Sequence, residues 1–438
     1  MKKLMSFKNS INSWLDAYKK RIDVVVACIL ALMPILQHYV GIIDNASTTL
    51  LLLVSPYLFI RVLCSGTVNY KNISLLFVLS VFFVYKLFDH GTNFTELAQV
   101  ILMLFLFLSM AQDGIDTESV KKALTFIAAA AGACLLIQYA CYYILGFHLQ
   151  LVPDKALLPE CKQWILGVKT GRYGINGVKS SFYRPSAFFL EPSHLFMYSF
   201  PALVLSLFGK NKQRKDWIIT LLITFAIVLS TSGMGIAVTA VAWGAFFLLS
   251  NEENGTYSFK NIFRKRNLIM VGVILSVVVL AIVFVPFVRN SVIRIFSSSE
   301  GSTAIAGRTA LATRELKKMT SLEWIFGVAD NTKALSFNVP GFMAMAYKYG
   351  VIGIVFSYEF YVKSILKLNV GYMLVSTIIV IVSFFSAHTH GTFFMLYYVT
   401  LLMEGHRVSE TSWLAEETAG IRGKIMNKFK AIKEKRES

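Results

Sequence analysis

The sequence predicts an all-α protein, a polytopic membrane bundle of about 12 transmembrane helices with two large loops on one face. Three observations predict it. Of 438 residues, 55% are hydrophobic and 16% charged, and the mean hydropathy is +0.60. A soluble protein of this size carries roughly 110 charged residues; this chain has 43 Lys+Arg and 25 Asp+Glu. The roughly 240 apolar positions would fill twelve spans of about 20 residues. The apolar residues fall in long runs separated by polar connections, and the basic residues sort to one side of those runs. A cytosolic globular enzyme is excluded, because it could not bury that much apolar surface.

In chain order, the runs lie near 22–40, 46–64, 72–88, 96–111, 121–147, 192–208, 216–231, 233–250, 267–288, 340–362, 369–387 and 391–405. The seventh and eighth are split only by Ser230-Thr231-Ser232-Gly233, a tight hairpin, since one fused helix would be too long for a bilayer. Residues 1–21 are basic and roughly amphipathic, without a short apolar region and small-residue cleavage site, and read as a cytoplasmic surface segment. Residues 22–405 form the transmembrane domain, and residues 406–438 a basic cytoplasmic tail suited to an anionic inner leaflet.

Charge orients the bundle. Six Lys/Arg lie in residues 1–21, eight in 406–438 and four in each of 209–215 and 251–266, while 41–47, 89–95, 231–233 and 386–390 hold none. Cytoplasmic loops carry the basic excess, so both termini are expected inside. The net charge of +18 is thus a topology signal, and no nucleic-acid partner is expected. The five cysteines (28, 64, 134, 141, 161) form no CxxC or Cys/His spacing, so neither a disulfide framework nor a zinc site is predicted.

Two outward connections, 148–191 and 289–339, are far longer than the rest, and each is net +3. Loops of this length are functional or disordered, and aromatic and aliphatic residues in both argue for order. Two cationic surfaces on the outer face suggest an anionic ligand at the lipid surface.

The stretch KSSFYRPSAFFLEPSH at 179–194 is the most informative. Pro192 suits a first helical turn, which places Glu191 at the cap of the sixth span and His194 in its first turn, with Arg184 just upstream. Glu191 reads either as a substitute cap or as a working carboxylate at the positive end of the helix dipole. In the second loop, residues 307–318 (GRTALATRELKK) read as a short amphipathic helix with Arg308, Arg314 and Lys318 near one face. Arginine forks match phosphate oxygens bidentately; a solvated basic face is the plainer reading, and the one favoured for Lys317 and Lys318. His388 and His390 lack the further ligands a metal site needs, so no metal is expected. Lys86 and Lys348 lie near span ends, where their chains can snorkel.

The segment RPSAFFLEPSHLFMY at 184–198 resembles the Arg…Ser…Phe…Glu-Pro-Ser pattern of Wzy-type O-antigen polymerases, which opens the span after their large periplasmic loop. Leu229–Gly235 (LSTSGMG) is similar to their Ser-rich turn, although the arginine often found there is absent. Gly307-Arg308 with Ile325-Phe326-Gly327, and Asn338 with Tyr349–Gly353 (YGVIG), resemble the second loop of the wider polymerase/ligase superfamily and the span that follows it. Phe337 stands where O-antigen ligases typically have a histidine, which argues against the ligase. The likeness covers roughly residues 180–360.

The resemblance implies a metal-independent, cofactor-free glycosyltransferase of the inner membrane, in lipopolysaccharide biosynthesis, with its active site on the periplasmic face. Its substrate would be undecaprenyl-diphosphate-linked oligosaccharide, and its partners membrane lipid and a chain-length regulator. Arg184 and Arg308 would clamp the diphosphate, assisted by Arg172 and Arg314, with Glu191 as base or orienting group and His194 beside it. The alternatives are an O-antigen ligase acting on lipid A core and a lipid-linked oligosaccharide flippase. A flippase generally keeps its outer loops short and its polar groups near the midplane.

Overall fold

The computed structural model describes residues 20–42, 45–65, 116–164, 183–209, 212–251, 256–257, 265–284, 304–328, 340–386 and 392–408, with residues 169 and 289. The apolar runs at 72–88 and 96–111, with Lys86, lie outside the described residues, as do most of the two terminal segments. Among the described residues the regular elements are helices, apart from a two-residue antiparallel pair, β1 (Ser250–Asn251) and β2 (Thr256–Tyr257), and two isolated bridges, Tyr39 with Leu157 and Val40 with Asn45.

The helices are α1 (20–36), α2 (Ala46–Ser65), α3 (Thr117–Tyr143), α4 (Pro192–Leu207), α5 (Arg214–Leu229) and α6 (Gly233–Leu249). They continue as α7 (Lys265–Phe284), α8 (Ala304–Leu316), α9 (Ser321–Phe326), α10 (Gly341–Lys367), α11 (Val370–Ser383) and α12 (Thr392–Val408). α3 is by itself long and apolar enough to cross a membrane; Ala46–Leu58, Gly233–Leu249 and Val370–Ser383 are apolar but shorter.

Helix ends follow local chemistry. Asp116 caps α3 by accepting from the Ser119 amide at 3.2 Å, and Asn369 caps α11 by accepting from Tyr372 at 3.3 Å. Gln213 and Asp216 close a capping box at the start of α5. Between α5 and α6 the chain reverses within Ser230–Ser232, the hairpin its polar residues predict. α1 stops earlier than its apolar run, and residues 38–40 pair with the connection that follows α3. Val40 N donates to Ala156 O (2.8 Å), and Leu158 N to His38 O (3.0 Å).

α4 is the centre of the bundle. It is apolar almost all round, and thirteen of its sixteen residues are buried against α3, α5, α6 and α11. Pro201 interrupts it and supplies no amide for the Met197 carbonyl. Tyr398 Oη donates to that carbonyl at 2.9 Å, and Tyr397 Oη to the Tyr198 carbonyl at 2.9 Å, so α12 repairs the break in α4. Where α3 crosses α5, a Cβ on Gly132 would lie 2.2 Å from the Leu222 carbonyl oxygen, so only glycine permits the approach. At the far end of the bundle from the α4 N-terminus, the buried Glu404 of α12 accepts from Thr117 Oγ1 at the start of α3. The outer flanks remain apolar: α7 exposes Leu268, Ile269, Val273, Val279, Leu280, Val283 and Phe284.

Candidate functional site

At the N-terminus of α4, residues 183–191 form an irregular segment pinned from several sides. Gln138 of α3 ties it to the chain just after α3 with the two ends of one amide. Its Oε1 accepts from the Ala187 amide at 3.0 Å, while its Nε2 donates to Leu149 O at 2.9 Å. Ser186 Oγ donates to Phe189 O (2.7 Å) and Phe189 N to Ser186 O (2.9 Å), forming a tight turn in which Ala187 takes φ 52°. A left-handed non-glycine residue costs roughly 1–2 kcal/mol, so the surrounding bonds must impose this shape.

Glu191 is the N-cap residue of α4, with extended backbone (φ −144°, ψ 147°) and Pro192 in the first turn. Its carboxylate caps nothing: no side-chain bond reaches a free amide of the helix. Instead it accepts from Ser193 Oγ at 2.9 Å and lies 3.7 Å from His194 Nε2. The cap backbone is in place, while the carboxylate is turned toward Ser193 and His194 at the positive end of the α4 dipole.

His194 is 4% exposed and stacks on His38, with ring centroids 4.7 Å apart and planes 6° from parallel. His38 follows α1, and its Nδ1 lies 3.7 Å from the buried thiol of Cys161 in the connection between α3 and α4. Phe394, at the start of α12, approaches the other side of the cluster, 6.4 Å from the His194 ring. Parallel imidazoles direct their in-plane lone pairs past each other. Among the described residues no group of three or more His, Cys, Asp and Glu could hold a metal ion.

Arg184 is half-buried. Its Nε donates to Thr231 Oγ1 at 2.9 Å, reaching the α5–α6 hairpin, where Thr231 also has a positive φ of 55°. The hairpin carries no arginine, yet a guanidinium reaches it from the neighbouring loop. Tyr139 Oη reinforces the junction by donating to Leu229 O at 2.8 Å. Next to Arg184, Tyr183 is buried, stacked on Tyr142 at 4.0 Å and met edge-on by Tyr139 and His148. Burial pushes the Tyr183 phenol up and lowers His148.

The remaining predicted residues sit elsewhere. Arg314, in the last turn of α8, is largely exposed, and its Nε is 3.1 Å from Glu315 Oε1. Lys318 Nζ also holds Glu315, at 2.9 and 3.0 Å, and these two cations, Lys318 first, keep that carboxyl below the usual range. Arg308 falls within α8, but its side chain, like that of Lys348 in α10, lies outside the described residues. Arg172, His388 and His390 lie wholly outside them. The structure therefore sets Glu191 beside His194 and adds His38 and Cys161 to that pair, while Arg184, seven residues upstream, reaches Thr231 of the predicted hairpin and Gln138 pins the segment between them; the sequence did not single out His38, Gln138 or Cys161. His38 carried one available signal: it ends the first span on the same predicted face as Glu191.

No known protein-family model matches the chain, and no curated protein sequence matches it.

Proposed function

We propose that the chain is a membrane glycosyltransferase, an O-antigen polymerase of the inner membrane, with its site at the outer end of α4. The observation that carries this reading is the Glu191 carboxylate. It stands at the α4 N-terminus beside the buried His194, which stacks on the half-buried His38, with Arg184 on the adjoining strained segment. Apolar flanks on α7 and the length and apolarity of α3 support membrane embedding; the basic cytoplasmic connections support the orientation.

In this mechanism the acceptor hydroxyl at the non-reducing end of a new lipid-linked repeat unit loses its proton to Glu191. The oxygen attacks the anomeric carbon of the growing glycan. The bond from that carbon to the diphosphate oxygen breaks, and its electron pair leaves with the polyprenyl diphosphate. Arg184 neutralises the developing charge, joined by Arg308 from the second loop, with Arg172 and Arg314 assisting. His194 positions the Glu191 carboxylate, and His38 fixes the plane of His194. The chemistry needs cationic donors for a diphosphate leaving group and draws on no nucleotide, metal or cofactor. A chain-length regulator would be its protein partner.

The test is reconstitution of purified protein with synthetic undecaprenyl-diphosphate-linked repeat units, read as a glycan ladder. Wild type should give a ladder without nucleotide or metal. Glu191→Gln should abolish it, and Arg184→Ala should slow it by on the order of 100-fold, the effect of losing about 3 kcal/mol of transition-state stabilisation. His38→Ala should lower kcat with KM little changed. Movement of lipid-linked units across vesicle bilayers with no ladder would replace the enzyme by a flippase. Transfer only to lipid A core would make it the ligase.

A further inference from the structure

The short helix α9 is fixed on one side and bare on the other. A capping box closes its start: Glu323 N donates to Thr320 Oγ1 at 3.3 Å, and Thr320 N to the Glu323 carboxylate at 2.7 Å. Gly327, at φ 87°, closes its end. Its inner side sits against α10 where that helix breaks. Gly350 has φ 62° and ψ −167°, and a Cβ there would lie 2.3 Å from the Ile325 carbonyl oxygen. Just beyond α9, Val328 N donates to Tyr347 O at 2.7 Å. Its outer side carries Leu322, Trp324 and Ile325, which are 67%, 40% and 44% exposed.

Two neighbours say what covers this face. The break at Gly350 divides α10, and from there the second part exposes Val351, Val355, Val362 and Leu366. Val351 and Val355, next to the break, lie four residues apart on one flank, and the exposed Glu359–Lys363 ion pair sits further along it; the apolar part is the face a span turns to lipid, so its upper edge lies level with α9. The chain entering α9 carries exposed Arg314, Lys317 and Lys318, with Glu315 already held by two of them. Exposed Trp, Leu and Ile beside lysines on a short surface helix suit the boundary between headgroups and acyl chains.

We infer that α9 and the basic end of α8 form an interfacial anchor, with Leu322, Trp324 and Ile325 entering the outer leaflet at the level of the Gly350 break and Lys317 and Lys318 facing anionic headgroups. The inference rests on the membrane reading given above and deepens it. An anchor at this depth would hold the loop bearing Arg308 where a lipid-borne diphosphate lies.

The test uses the full chain reconstituted in vesicles of phosphatidylcholine and phosphatidylglycerol, with a fraction of the lipid brominated either near the headgroup or near the chain end. The Trp324 signal is the difference between wild type and Trp324→Phe. It should be blue-shifted and lose most of its intensity to the shallow bromines, less to the deep ones. Lys317→Gln with Lys318→Gln should reduce that quenching, as should high salt. A Trp324 signal that emits as in water and is quenched by acrylamide but not by bromines would overturn the anchor. So would a signal shielded from both, which would mean that another protein surface covers the face. Quenching of the remaining tryptophans in the same vesicles reports separately on the membrane reading.

Discussion

At the scale of single residues, the bundle tolerates proline in its central helix because a partner supplies the missing donor. Pro201 leaves the Met197 carbonyl without an amide, and the Tyr398 hydroxyl takes its place. Tyr398→Phe should cost about 1–3 kcal/mol, the penalty for a buried acceptor left unmet. In a Pro201→Ala background the restored amide can reach Met197, and the same substitution should cost far less. Thermal unfolding in detergent of the two single variants and the double variant measures this coupling. Equal costs in both backgrounds would show that the hydroxyl is not compensating for the proline. Ala187 and Thr231 are the converse case, residues held at positive φ beside Glu191 and Arg184 by bonds from α3 and from each other's loops.

At the scale of elements, the junction of α4 and α5 contains a lysine with a pH signature. Lys212 donates to the Leu207 carbonyl and lies 4.2 Å above the Trp217 ring and 4.5 Å above the Phe246 ring. Burial lowers its pKa from 10.5 to about 8, opposed by the nearby Asp216 carboxylate. The folded protein therefore releases this proton before the unfolded chain does. Between about pH 8 and 10.5 this group makes stability rise with pH, and its contribution is lost as pH falls through about 8. Melting temperature followed over that interval should show the rise, relative to Lys212→Met, which should lack this component. Parallel pH curves for the two proteins would mean that Lys212 titrates normally.

For the whole molecule, the ends of α1, α3, α4, α11 and α12 that surround His194 and Arg184 belong to one face, and the pairing of Glu404 with Thr117 belongs to the other. On the orientation proposed from the sorting of basic residues, the first face would lie outside and the 209–215 connection inside. Lys155 and Lys215 are exposed, one in each kind of connection. In intact spheroplasts, a membrane-impermeant maleimide should label Lys155→Cys at once and Lys215→Cys only after permeabilisation, with the native cysteines as blank. The opposite pattern would reverse the orientation and move the Glu191 site to the cytoplasm.

The helices themselves were legible in the chain because hydropathy, capping and turn chemistry act over a few residues. Pro192 predicts the start of α4, Ser230–Ser232 the hairpin between α5 and α6, and the apolar runs most of the described helices. Glu191, His194 and Arg184 were visible for the same reason, since eleven positions contain all three. His38 and Gln138 carry no such mark, and Thr231 was marked only as part of a hairpin. Each joins the site across 40 or more residues, and its place depends on how close two helices come. That closeness is set by side-chain volume at crossings such as Gly132 against Leu222. Hydropathy measures how strongly a segment leaves water; it carries no record of which segment it then packs against.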